Sequence, residues 1–523
     1  MACALPRSAA LGLVCSWQPH DGATGAAIKK MDGDIQYSSA TLSLSNGDSD
    51  SDDNETERSR LHKPVDNDDE EVFTVEEAVD ALGFGWFQIR VCFIVGFHGM
   101  ADAFEIMLVS VLSDKLRCEW RLSSWQQALM TTVIFGGYFL SAPVWGALAD
   151  KFGRRGTLGL CSFLVFYFGL LSSFSPTFTW LLILRGLVGT SLGGASQGFT
   201  ILAELLPSKT RGLCLVFLTV FWIVGICLQV ILTLIIMPTL GWRYLMFFSS
   251  FPLLIFLLLM KYLPESVLYQ QTMGDFDGAM ATLRLISSLN KRPLPRGHLC
   301  RNVREWKPKG SLPELFKTRT MAITSSLLLI NWFCNAFLYY GMVLLATEIF
   351  SSGNTCASEP APEMECFAAC KSLDVSGYVH VLETSFAEFP GVLITFVIIE
   401  VLGRRKTMAI QMWAAGLFTF LLLICTTSGV QTFFIFVVRG MISGAFQALY
   451  VYTPEVYPTH VRSLSLGVCV AASRLGAIVT PFVAQVLMKN SSTVAICVYA
   501  GFALLSGVVS VILPLETTGK ILH

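Results

Sequence analysis

The chain has 523 residues, of which 53% are hydrophobic and 14% charged, and its formal net charge is −1. A soluble domain carries about a quarter of its residues as charges, so this composition excludes an ordinary soluble protein and points to many membrane spans. The near-neutral balance lacks the basic excess that nucleic acid attracts, and no nucleic-acid partner is expected.

In chain order, residues 1–72 come first, rich in Ser, Gly and acids ("SNGDSDSDDNETE", "DNDDEE"). Such a segment cannot bury enough apolar surface to fold, and a disordered acidic cytoplasmic tail is expected. Either it solvates the protein or its acidic serines are phosphorylated. No cleavable signal stands ahead of the first span, which would itself target the chain. Thr74 and Glu77 then form a capping pair, which opens a short amphipathic helix ahead of the membrane.

Crossing the bilayer takes about 20 apolar residues. Stretches of that kind lie at 90–112, 126–148, 157–174, 180–202, 213–236, 244–263, 321–346, 380–402, 407–427, 432–452, 466–488 and 494–513. All twelve are read as helices, because backbone groups in lipid must bond within their own segment. The expected fold class is therefore all-α integral membrane, with twelve transmembrane helices. Residues 73–263 hold one six-helix bundle with its preceding amphipathic helix, and 321–515 hold the other. Between them, 264–320 is a cytoplasmic linker with one or two surface helices ("DFDGAMATLRLISSLN"), and 516–523 is a short tail.

Basic residues set the orientation. Lys151, Arg154, Arg155, Lys209, Arg211, Arg404, Arg405, Lys406 and Arg462 stand in the even-to-odd loops, which are therefore cytoplasmic together with both termini. The largest external loop, 350–378, holds Cys356, Cys366 and Cys370, and the first external loop holds Cys118. These four make a disulfide framework with three pairings open. The remaining cysteines are read as free thiols. The sequon at Asn490 is external but close to the membrane.

Several motifs occur twice. "ADKFGRR" places Asp150 before Arg154 and Arg155, and "IIEVLGRRK" places Glu400 before Arg404 and Arg405. "ILRGLVG" around Arg185 matches "VVRGMISG" around Arg439. "AELLPSKTR", with Glu204 and Arg211, matches "PEVYPTHVR", with Glu455 and Arg462, and "LPES" echoes "LPLET". The chain thus reads as two six-span halves in parallel register, an arrangement that places a site at their interface near the midplane. The repeated charges read as a breakable cytoplasmic gate, formed of Asp150, Arg154, Arg155, Glu204, Arg211, Glu400, Arg404, Arg405, Glu455 and Arg462, that pairs when this side is shut. Alternatively, the cations merely hold the topology.

These motifs resemble those of the major facilitator superfamily. "GALADKFGRR" looks like its signature after span two, and "RGLVG" and "AELLPSKTRG" resemble the sugar-porter and organic-ion-transporter branches. Closer still, "CEWRLSSWQ", "FTVEEAVDALGFG" and "YVYTPEVYPTHVRSLSLG" look like the synaptic vesicle 2-related group. The resemblance covers about residues 73–517 and implies alternating access in a synaptic or secretory vesicle membrane.

Ionisable residues inside spans are costly and mark function by default. Asp102 and Glu105 share one face of span one. By resemblance to proton-coupled sugar porters, a span-one acid meets Arg185, so the three form a coupling site; a permanent structural pair is the other reading. Asn331, Asn335 and Tyr339 form a polar stripe on span seven beside Trp332, and Phe446, Gln447 and Tyr450 lie on span ten. Arg474 lies deep in span eleven. In organic-ion transporters the matching position is basic in anion carriers, and the residues matching Trp332 and Tyr339 line the cavity. Trp332, Asn335, Tyr339, Phe446, Gln447, Tyr450 and Arg474 are therefore the expected substrate contacts. A guanidinium here favours an anionic or zwitterionic substrate, unless Glu383 or Glu388 neutralises it.

"GTSLG" (189–193) lies mid-helix and is no hydrolase elbow. No phosphate-binding loop is present either, and no enzyme activity, metal or cofactor is expected. The function expected is secondary active transport of a small organic ion, proton- or ion-coupled, by a monomer in the bilayer. The alternative is a non-transporting vesicle protein of the same fold, acting as regulator or receptor.

Overall fold

Capping chemistry starts the helices where the sequence places it. In the computed structural model, which describes residues 72–300, 311–352, 373–424, 426–458 and 461–517, the Thr74 hydroxyl accepts from the Glu77 backbone N–H. The Glu77 carboxylate in turn accepts from the Thr74 N–H. The resulting helix, Val75–Leu82, buries Val75, Ala78, Val79 and Leu82. Ser123 and Gln126 make the same reciprocal cap at the start of span two.

The spans run Trp86–Glu119, Ser124–Phe152, Arg154–Ser172, Phe178–Leu205, Ser208–Thr239 and Trp242–Tyr262 in the first half. Those of the second half are Arg319–Ser351, Val375–Leu402, Arg404–Leu421, Ser428–Val456, Leu464–Asn490 and Ser492–Ile512. Among the described residues, eleven are long and apolar enough to cross a membrane. The ninth, Arg404–Leu421, falls outside that group, because it opens on Arg-Arg-Lys and is short. Spans one and seven are each 78% buried over their most apolar window, against 22% for span two. The repeat thus places its two first helices inside the bundle and leaves apolar faces such as Leu140 and Val144 outward.

The glycine of each charged knot has a backbone reason. Gly153 and Gly403 take φ of +93° and +86°, a left-handed turn that a side chain would strain. Each lets one span end and the next begin directly. The glycine pairs Gly189/Gly193 on span four and Gly440/Gly444 on span ten admit close packing of the neighbouring helices. A Cβ on Gly189 would collide with the Ile134 carbonyl of span two, and one on Gly440 would press on the Ala387 carbonyl of span eight. Gly189→Ala is therefore expected to lower stability by about 1–3 kcal/mol, because backbone cannot yield. Gly146→Ala on span two meets nothing within 4 Å and serves as the control. Thermal unfolding of both variants checks this.

The linker carries two helices, Val267–Thr272 and Phe276–Asn290. It also carries a feature that was not foreseen. His298–Leu299 pairs in parallel with Val72–Phe73, and the Asn290 amide donates to the carbonyls of Leu82 and Gly83. The linker is thereby pinned to the entry of span one. Expectations for residues 1–71 and for most of the 350–378 loop lie outside the described residues.

Candidate functional site

Arg474 organises the space between the halves. Span eleven carries its side chain to the first half, where the guanidinium lies 3.9 Å from the centre of the Tyr138 ring of span two. One Nη donates to the Tyr340 hydroxyl of span seven at 2.9 Å, while Nε is buried with no partner. Its charge acts on Asp102 of span one and on Tyr450 of span ten. Cation–π contact and hydrogen bonding to tyrosine hold the fork, and among the described residues no carboxylate pairs with it in direct contact. Neither acid considered for neutralising Arg474 takes that role: Glu388 pairs with Arg439, and Glu383 pairs with His380.

An aromatic wall continues from this centre. Tyr339 packs on Tyr340 and Phe446, and Phe446 and Tyr450 both meet the buried Trp332 ring, at 5.6 and 4.6 Å. The Trp332 indole N–H is spent on Thr453. The Gln447 amide oxygen accepts from the Thr219 hydroxyl of span five at 3.0 Å. Asn335 does not join this wall. Its amide donates to Asn331 and to Ser506 of span twelve, so it works inside the packing of the second half. Spacing by four placed it on one face with Asn331, but span twelve covers that face.

Two buried ion pairs flank the centre. In the first half, Arg185 of span four donates to Glu105 of span one at 2.8 Å, both at most 2% exposed. Asp102 turns to His98 at 3.6 Å instead, and its second oxygen has no hydrogen-bond partner. In the second half, Arg439, the repeat counterpart of Arg185, donates to Glu388 of span eight at 2.8 Å. The other oxygen of Glu388 accepts from the Tyr339 hydroxyl, which accepts from the Trp222 indole of span five. This second pair is thus wired across to the first half.

The charged knots are paired locally. Arg154 pairs with Asp150 and Glu204 at 3.3 and 3.6 Å, and Arg404 pairs with Glu400 and Glu455 at 3.3 and 3.1 Å. Both groups stay within their own halves, because the nearest acids are one turn back and on the adjacent span. Arg211 reaches Glu76 instead of Glu204, and Arg405 donates to the Val511 carbonyl. The guanidinium Nε of Arg462 is buried without a hydrogen-bond partner. Glu265 accepts from the backbone N–H groups of Arg154 and Arg155, and Glu516 from that of Arg404. The acids of "LPES" and "LPLET" are therefore N-terminal anchors for spans three and nine, a role the repeat contained but pairing by side chain alone did not reveal. Tyr269 packs under Arg154 at 5.3 Å. Its phenol is pushed above the ordinary range by burial and by Glu265.

The halves join at the opposite end. Glu348 of span seven accepts from Gln127 of span two at 2.7 Å, and it meets Arg117 of span one and Lys489 of span eleven at 3.7 Å each. Lys489 also donates to Gln127 at 2.7 Å. Asp114 accepts from the Leu373 backbone, and Gln485 donates to Ser113. Sequence reasoning missed this cluster because each member lies near a span end, where charge is ordinary. Cys118 at this end is disulfide-bonded; Cys356, Cys366 and Cys370 lie outside the described residues. Among the described residues, no group of three acids, histidines or cysteines is placed to hold a metal.

Residues 91–523 match the family model described as sugar (and other) transporter. The chain is 44% identical to the synaptic vesicle 2-related protein of Rattus norvegicus over 460 residues, covering 87% of this chain and 83% of that one. The Xenopus laevis protein of the same name is also 44% identical, over 457 residues. Among solved structures, the partially occluded inward open conformation of the E. coli xylose transporter XylE is similar in fold. Its TM-score is 0.64 at 17% identity, over 83% of this chain and 100% of that chain.

Proposed function

Because the chain belongs to the sugar and other transporter family, we propose that it carries a small organic anion across a vesicle membrane by alternating access. The observation that carries the anion reading is Arg474, a buried guanidinium between the halves that no carboxylate of the described residues meets in direct contact. A bound carboxylate, sulfonate or phosphate would supply that charge and take the unused Nε–H. Guanidinium geometry suits such planar, bidentate acceptors. The Tyr138, Tyr340 and Tyr450 hydroxyls stand around it to complete the polar contacts, and the wall of Trp332, Tyr339 and Phe446 suits an organic body.

The basic loops assign the knot end to the cytoplasm and the opposite end to the lumen. In that orientation the Glu348 cluster is a luminal lock and the structure rests with its lumen side joined. The vesicle location follows the names of the similar proteins. Coupling falls to the Glu105–Arg185 pair: a proton taken by Glu105 would cancel the charge that holds Arg185 and free span four to move against span one. Rocking of the halves then exchanges the lock for contacts between the knot ends.

The test is uptake. Purified full-length protein in liposomes is given a panel of labelled organic anions, cations and neutral sugars, with unlabelled solute preloaded inside. Accelerated exchange of an anion, and not of a cation of equal size, is the expected result. Exchange of none of them by intact protein would favour a regulatory or receptor role.

A further inference from the structure

Span eight is interrupted where its buried acid stands. One helix ends at Phe386 and the next begins at Glu388, because Pro390 has no N–H to offer the Phe386 carbonyl. In transporters, interrupted helices sit where ions and substrates bind. Glu388 is buried and joins this break to three other spans. Its Oε1 accepts from Arg439 of span ten at 2.8 Å, and its Oε2 accepts from the Tyr339 hydroxyl of span seven at 3.0 Å. That hydroxyl accepts in turn from the Trp222 indole of span five at 2.8 Å, so one phenol ties the acid to the other half. Ser443 of span ten and Cys227 of span five also face the carboxyl group.

An ionised carboxylate only accepts hydrogen bonds, whereas a protonated one carries a donor. Both oxygens of Glu388 accept here, as the ionised acid requires. A proton added to Oε1 would face the Arg439 N–H, and one added to Oε2 would face the Tyr339 O–H. In either place two donors meet, and one bond must turn away. Arg439 can stay, because the Ser385 hydroxyl also accepts from it at 3.0 Å. The Tyr339 hydroxyl has a single hydrogen and gives it to Glu388. When that hydrogen turns to another acceptor, the lone pairs of the same oxygen turn away from Trp222.

We infer that Glu388 is a proton-binding site of the second half, and that its protonation releases Tyr339 from Trp222 and loosens span five from spans seven and eight. The proton comes from water in the space between the halves. The carboxylate gains it and loses its charge, and no other covalent bond changes. The Tyr339 ring packs on Tyr340, which holds Arg474, so the switch borders the proposed substrate centre. The inference rests on the rocking of the halves proposed above and gives the second half its own counterpart to Glu105. A merely structural ion pair would need neither the interrupted span nor the phenol shared with the first half.

The experiment uses the full chain in nanodiscs, without substrate, over about pH 5–8, the range in which folds are usually most stable. Infrared difference spectra should show a carboxylic acid band that grows as the pH falls and is missing from Glu388→Gln. Spin labels at Phe217 on span five and Val397 on span eight, both exposed, should gain a second distance as that band appears. The ratio of the two populations should change by about tenfold per pH unit, as one proton requires. Trp222→Phe leaves the acid intact, so its band should still titrate while the second distance is present at every pH. A distance that ignores pH in the unmodified chain, or that titrates equally in Trp222→Phe, would overturn the inference even if Glu388→Gln failed to fold. Because no substrate is used, the outcome does not depend on which solute is carried. Fixed distances at both ends of the bundle as well would place the failure in the rocking reading itself.

Discussion

Arg474→Ala is expected to weaken binding of the transported anion by about 2–5 kcal/mol, which is at least about thirtyfold in apparent Kd. The loss has two parts. The substrate's charge is left buried without its partner, and Tyr138 and Tyr340 lose the cation that arranges them. Arg474→Lys keeps the charge but not the planar fork, so it should recover only part of the affinity. Tyr340→Phe removes one hydrogen bond to the guanidinium, a change worth about 1 kcal/mol. Isothermal titration with the anion found by uptake gives these numbers. An anion that binds Arg474→Ala as tightly as the unmodified chain would remove Arg474 from the site.

Arg439→Ala should destabilise the protein by about 3–5 kcal/mol, because it strands Glu388 in the second half's interior. Glu388 is 1% exposed, and its other oxygen accepts from the Tyr339 hydroxyl. Removing both charges should cost far less: Arg439→Met with Glu388→Leu replaces the pair by apolar volume. The same contrast should hold for Arg185→Ala against a double replacement of Arg185 and Glu105. Trp222→Phe would cost about 1 kcal/mol, but it also loosens the link from span five to Tyr339. Thermal and denaturant unfolding of the purified variants separate these cases. If Arg439→Ala and the double variant were equally unstable, packing and not the stranded charge would be the cause.

The architecture was legible because membrane physics leaves few options. Long apolar runs, basic loops and duplicated motifs gave twelve spans and two halves, and the glycine-backed knots fell where the turns are. The partners were less legible. Arg474 stood out as a charge in an apolar helix, but its ring, Tyr138, lies on a span of the other half. Glu105 and Arg185 could be matched through the resemblance. Arg439 and Glu388 could not, although Arg439 repeats Arg185, because it pairs with span eight and not with the first span of its half. Asn335 shows the limit of periodicity, which names a helix face but not the neighbour that covers it. The knots were legible as motifs but not as pairs: Arg154 and Arg404 each meet an acid on the adjacent span of their own half, and a repeated motif does not say which acid that is.

The most direct test of the central claim is whether the two ends of the bundle open in turn. Spin labels at Leu240 and Val494 report the Glu348 end of the two halves, proposed to be luminal, and labels at Phe152 and Val401 report the end with the charged knots; all four positions are exposed. Glu348→Gln removes the charge that Arg117 and Lys489 share across the halves. Distances measured by electron–electron resonance in nanodiscs should show the unmodified chain mainly closed at the lumen. The variant should gain a population with a longer luminal and a shorter cytoplasmic distance. Identical distributions in both proteins, at both ends, would contradict a rocking transporter locked at Glu348.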